Sequence, residues 1–158
     1  MQKGTTHLSR HMDENWQILI TIEGQQAKNG EWKGEAYMGK NREGQILFVA
    51  YQSITTQDTK MARLIAARQA TQKAIHLGFR KIIMLVGDKE IEMIWSNRHQ
   101  PRWQFTPILE DLQCLKHQYG LALHIRSALP MILIQLKGMA HMASQFFVNV
   151  FQVIPSSL

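Results

Sequence analysis

The chain predicts an α/β fold built on a five-stranded mixed sheet, and three observations carry that prediction. Three strand-like segments follow one another through short polar turns, as in an antiparallel meander. A helical segment with alanine at every fourth position then runs into an unbroken apolar stretch. Further helical segments flank one more short strand after it, which extends the meander by two parallel strands with helices on both faces.

The first strand is read at Trp16 to Glu23, WQILITIE, with Ile18, Ile20 and Ile22 on one face. Gly24 to Lys33, with Asn29-Gly30 inside, reads as a turn. Gly34 to Lys40 makes the second strand, with Ala36 and Met38 on one side and Tyr37 opposite. Asn41 to Gly44 is a tight connection into the third strand, Ile46 to Tyr51. Ala62, Ala66, Ala70 and Ala74 then draw a small-residue ridge suited to close approach to a sheet. Thr56 or Asp58 caps that helix, and Gly78 stops it. Ile82 to Val86 is a strand buried on both faces, with Asp88 just past its carboxyl end, where open α/β sheets place their sites. A second helix is expected from about Asp88 to Trp95, a loop over Asn97 to Thr106, and a third helix from Pro107 at its first turn to about Tyr119, stopped by Gly120. Leu121 to Ile125 is the fifth strand. Ser127 to Lys137 reads as a loop in which Met131 to Ile134 has the composition of an extra strand, and Gly138 to about Val148 as the last helix.

At 158 residues the chain suits one domain, placed at 16–148 between a lead-in of 1–15 and a tail of 149–158. The lead-in has no apolar core and does not read as a secretory signal. The single cysteine, Cys114, excludes an internal disulfide and a cysteine-cluster metal site, and fits an intracellular setting, nucleus or cytoplasm. No apolar run approaches the ~20 residues of a membrane span, so no membrane partner is expected. A net charge of +6 favours an anionic partner such as nucleic acid, or serves solubility. Of the seven histidines only His7 and His11 have a zinc-like H-x₃-H spacing, and with a single cysteine no cysteine pair accompanies them, so zinc is not expected. In the tail, FFVNVFQVI from Phe146 is apolar at nearly every second position, which suits an added edge strand, a homodimer contact, or packing back onto the domain.

Several local motifs resemble the ribonuclease H-like superfamily, most closely its plant retroelement-derived domains. The family's first strand ends in a pattern like W-x-x-x-N-x-D-G, and Trp16 to Gly24 reads WQILITIEG. KNREGQILFVAYQSI from Lys40 is similar to the third strand and its approach. ARLIAARQATQKAIHLGF from Ala62 matches A-E-x-x-A-x-x-x-A-L-x-x-A-x-x-L-G-F, the most specific piece. Val86 to Lys89 stands where the family has E-S-D-S, and Met139 to Ser144 where it has V-A-D-x-L-A or V-A-H-x-L-A. The likeness runs from about Trp16 to Phe147.

Active members of the family hold two divalent metals in clustered carboxylates and cleave phosphodiesters with them. Position by position, the resemblance puts Glu23, Arg63, Asp88 and His141 at those four places. One of them is a base and one a neutral histidine, so the set carries a net −1 where four acids supply −4. A replacement acid for Arg63 has to come from the same helix face, yet Thr59, Lys60, Ala66 and Ala67 stand there. The resemblance therefore implies a degenerate site with no catalytic residue, no metal and no cofactor. Arg63 is expected to pair with Glu23 or Asp88; its alternative role is to hold a phosphate through its planar fork. Arg98, Arg102 and Trp103 form a basic, aromatic stretch around Pro101 that suits weak, non-specific nucleic-acid binding, or else covers the edge of the core.

The expectation is a catalytically inactive domain acting as a nucleic-acid-binding or protein-interaction module. The alternative is a weak magnesium-dependent nuclease using Glu23 and Asp88.

Overall fold

A computed structural model describes residues 15–26, 33–56, 58–146 and 148–155. The expected lead-in and the tip of the first hairpin lie outside these, apart from Asn15. The order is β1 (Ile18–Gln26), β2 (Lys33–Lys40), β3 (Ile46–Ile54), α1 (Thr59–His76), β4 (Lys81–Val86), α2 (Lys89–Trp95), α3 (Thr106–Tyr119), β5 (Ala122–Ser127), α4 (Ile134–Gln145) and β6 (Asn149–Val153). Short 3₁₀ turns at Trp103–Phe105 and Pro130–Leu133 lead into α3 and α4.

The strands lie in the order β5-β4-β1-β2-β3-β6. β1 runs parallel to β4, and β4 to β5, while the β1–β2, β2–β3 and β3–β6 pairs are antiparallel. The sheet is thus mixed as expected, with six strands instead of five. The extra one is β6, whose Phe151 stands opposite Ala50 and Val153 opposite Phe48. The extra strand for which Met131 to Ile134 has the composition does not form. Pro130 opens a 3₁₀ turn there, Leu133 alone turns inward, and α4 has already begun at Ile134. That last helix accordingly spans Ile134–Gln145 and not Gly138 to Val148.

Helices cover both faces. On one, Ala66, Ala67 and Ala70 of α1 pack with Ile18, Ile20, Ile22, Tyr37, Phe48 and Ala50, joined by Ile91 of α2 and Ile108 and Leu112 of α3. On the other, Leu136 and Ala140 of α4 meet Ala36 and Met38. The alanine ridge lets α1 lie low on the sheet: Ala62, Ala66, Ala70 and Ala74 are all fully buried. α4 lies equally low. A Cβ on Gly34 would fall inside the Ala140 carbonyl and 2.6 Å from the Ser144 nitrogen.

β2 is buried along seven of its eight residues although its sequence, KGEAYMGK, is half polar. Alternation puts Glu35 on the same face as Tyr37, under α1. Glu35 is 0% exposed, and neither carboxylate oxygen has a hydrogen-bond partner among the described residues. Burial pushes its carboxyl up to about 8, with the positive charge of Arg68 drawing it part of the way back. The Tyr37 hydroxyl is pushed above its ordinary range, chiefly by burial and then by the charge of Glu35.

Candidate functional site

The carboxyl end of β1, the start of α1 and the end of β4 converge on one charged cluster. Gly24 makes the convergence possible, because a Cβ there would lie 3.2 Å from both Ala62 Cβ and Arg63 Cγ and 3.0 Å from the Thr59 carbonyl. With hydrogen in that place, α1 sits against β1 and delivers Arg63 to Glu23. Asp58 rather than Thr56 caps α1, its carboxylate accepting from the Met61 N–H at 2.8 Å.

Glu23 is fully buried. Its Oε1 accepts from Arg63 Nε and from the Gly24 N–H, each at 2.8 Å. Its Oε2 has no hydrogen-bond partner among the described residues and lies beside Gly87, with the buried Leu133 close by. Asp88 is used twice. Its Oδ1 caps α2 by accepting from the N–H groups of Glu90 and Ile91. Its Oδ2 takes Lys60 Nζ at 2.6 Å and Arg63 Nη1 at 3.2 Å. Lys60 reaches on to Glu90 at 3.1 Å, and Arg102 meets Glu90 at 3.3 Å from the other side. Lys60, Arg63 and Arg102 thus interleave with Glu23, Asp88 and Glu90, three cations against three carboxylates.

Such a chain tunes its members. Burial pulls the Lys60 ammonium down, but hydrogen bonds to Asp88 and Glu90 outweigh it and hold the group above its ordinary value. The hydrogen bond from Lys60, aided by the charges of Lys60 and Arg102, holds Glu90 below its own.

The structure therefore brings three of the four family positions together and leaves the fourth apart. His141 is exposed on α4, and its imidazole meets Gln145, 3.2 Å from Nε2. Arg63 pairs with Glu23 and with Asp88 at once, where the sequence suggested one or the other. Lys60 and Glu90 complete the cluster. Lys60 stands at i−3 from Arg63, so the same-face rule places it there, as a base and not as a replacement acid.

A two-metal centre does not fit these residues. Among the described residues, no three histidine, cysteine, aspartate or glutamate side chains are grouped to hold an ion. Both oxygens of Asp88 and one of Glu23 are engaged by the protein's own donors. A divalent cation would have to displace a guanidinium and an ammonium already hydrogen-bonded in place.

Of the basic stretch, Arg98 folds back onto Glu92 at 3.4 Å and Ser96 at 2.9 Å, and Arg102 onto Glu90. Trp103 projects freely, 84% exposed. The tryptophan that supports the core is Trp95, whose indole N–H donates to the Leu123 carbonyl at 3.1 Å.

No protein-family model matches the chain, and no curated protein is similar to it in sequence. Solved structures match well. The N-terminal RNase H domain of rv2228c from Mycobacterium tuberculosis superposes with a TM-score of 0.72 at 15% identity, over 81% of this chain and 93% of that one. RNase H1 from the halophilic archaeon Halobacterium salinarum gives 0.73 at 13%, over 81% and 97%. LC11-RNase H1, solved in complex with an RNA/DNA hybrid, gives 0.75 at 12%, over 81% and 96%. At such identities the likeness is one of backbone architecture, and on it this chain has the ribonuclease H-like fold.

Proposed function

We propose that the protein is a catalytically silent ribonuclease H-like domain that works by binding, with nucleic acid as its first class of partner. One observation carries the silence: Lys60 and Arg63 lie on Asp88 and Glu23, where the fold's nucleases hold metal. A metal-dependent cut needs a bound ion to activate water and stabilise the leaving oxygen, and this cluster balances its own charge without one. The resemblance of α1 and its flanking motifs to plant retroelement-derived domains supports descent from a retroelement nuclease.

Binding is supported by the +6 net charge and by Trp103, an exposed indole beside Arg98 and Arg102 on which an unpaired base can stack. LC11-RNase H1 was solved in complex with an RNA/DNA hybrid, which supports hybrid as the first ligand to try. The test incubates the pure chain with a labelled RNA/DNA hybrid in magnesium and in manganese, and measures cleavage and anisotropy together. Binding without cleavage is expected. Metal-dependent hydrolysis that disappears in Asp88→Asn would refute the silent reading in favour of a weak nuclease. Absence of binding at low salt would leave a protein partner as the class to pursue.

A further inference from the structure

α1 and α3 cover the inner strands on their side of the sheet, while β3 and β6 run out beyond them. The trough left between α1 and this outer edge is a cavity of about 690 Å³. It lies within the ~300–1,000 Å³ of small-ligand sites. Four carboxamides converge on it, Gln69 and Gln72 from α1 and Gln52 and Asn149 from adjacent positions on β3 and β6. Each offers a donor and an acceptor in one plane, the arrangement that reads the edge of a nucleobase. Lys73, His76 and the Tyr37 hydroxyl are its ionisable groups, and among the described residues no carboxylate lines it. The Lys73 ammonium lies over the Phe151 ring, 4.3 Å from its centre, a cation–π contact that holds the ammonium in the wall. Behind Gln52, in register with it on β2, lies the unpartnered carboxyl of Glu35.

We infer that this trough is a second binding site, for an unpaired nucleotide: carboxamides to the base, Lys73 to the phosphate. The inference is independent of the silent reading of the Glu23–Asp88 cluster, because no residue is shared.

The experiment follows the amide resonances of the full chain while adenosine monophosphate, inorganic phosphate or single-stranded hexadeoxyadenylate is added. Adenosine monophosphate should shift Gln72, Lys73, Asn149 and Phe151 saturably, and phosphate alone should bind at least about tenfold more weakly, for want of the base contacts. Gln72→Leu and Lys73→Ala, both on the accessible side of α1, should each weaken binding about fivefold or more while the spectrum stays that of a folded protein. Tighter binding of the hexamer identifies a strand as the source, and binding of the mononucleotide alone identifies a free nucleotide; either result upholds the site. No saturable shift at these residues with any probe overturns it. So does phosphate binding as tightly as the nucleotide, or binding that neither variant weakens.

Discussion

Replacing Glu35 by Gln should make the protein more stable at neutral and alkaline pH, and should remove most of its stability change between pH 5 and 8. Glu35 lies under α1 with both oxygens unpartnered, and burial raises its carboxyl from 4.5 to about 8. The folded chain therefore keeps the proton over a range in which the unfolded chain has released it. Below pH 4.5 both states are protonated and the group is neutral to folding; between 4.5 and about 8 stability falls as pH rises; above that both states are ionised and the loss levels off. At about 1.4 kcal/mol per pH unit, the loss accumulated by pH 8 is on the order of 4 kcal/mol, a large part of the ~5–15 kcal/mol of a typical domain. The assay is urea unfolding by circular dichroism at pH 5, 6, 7 and 8 for the wild type and Glu35→Gln. The two should lie close together at pH 5 and diverge steadily upward, the variant being the more stable. Parallel curves across the range would refute the reasoning, since they would mean that Glu35 has the same proton affinity folded and unfolded.

Four further outcomes are expected. Arg63→Met should destabilise by about 3–5 kcal/mol, because it leaves Glu23 charged and fully buried, and Arg63→Met with Glu23→Gln should recover a good part of that in the same urea assay. Arg63→Glu with Lys60→Ala should create manganese binding detectable by calorimetry, with hybrid cleavage still absent because His141 stands outside the cluster; turnover by this double variant would show that the fourth position is dispensable. Trp103→Ala should leave the melting temperature unchanged and weaken single-stranded DNA by about 1–3 kcal/mol, with less effect on duplex, as read by anisotropy. Gly34→Ala should lower stability by several kcal/mol at every pH, since the added methyl meets the α4 backbone and not a flexible side chain; a loss below about 1 kcal/mol would show that α4 shifts freely.

Much of the architecture was legible because it rests on periodicity. The alanines of α1, the run from Ile82 to Val86 and the glycines after both long helices each answer to one local rule, and Gly78 and Gly120 indeed adopt positive φ. What stayed hidden depends on neighbours. The stretch from Met131 to Ile134 is apolar enough for a strand, and periodicity cannot separate a short apolar run from the start of a helix. The alternation in the tail was visible, but nothing local names β3 as its partner. The burial of Glu35 on a half-polar strand has no local signal, because only the packing of α1 and α4 on opposite faces shows that β2 is central. In the site, carrying over the family pattern located Glu23, Arg63 and Asp88. Lys60 shares a helix face with Arg63 in the sequence, but only the folded packing shows that it reaches Asp88.

Asp88 bears on how chains of this fold are read. One of its oxygens starts α2 and the other anchors Lys60 and Arg63, so a neutral residue there would free a helix end and two cations together. An acid surviving at the end of β4 thus has two employments unrelated to bond cleavage. Among chains of this fold, an aspartate in that place says little about whether chemistry persists; the residue facing it across the cluster, at position 63 here, is the informative one.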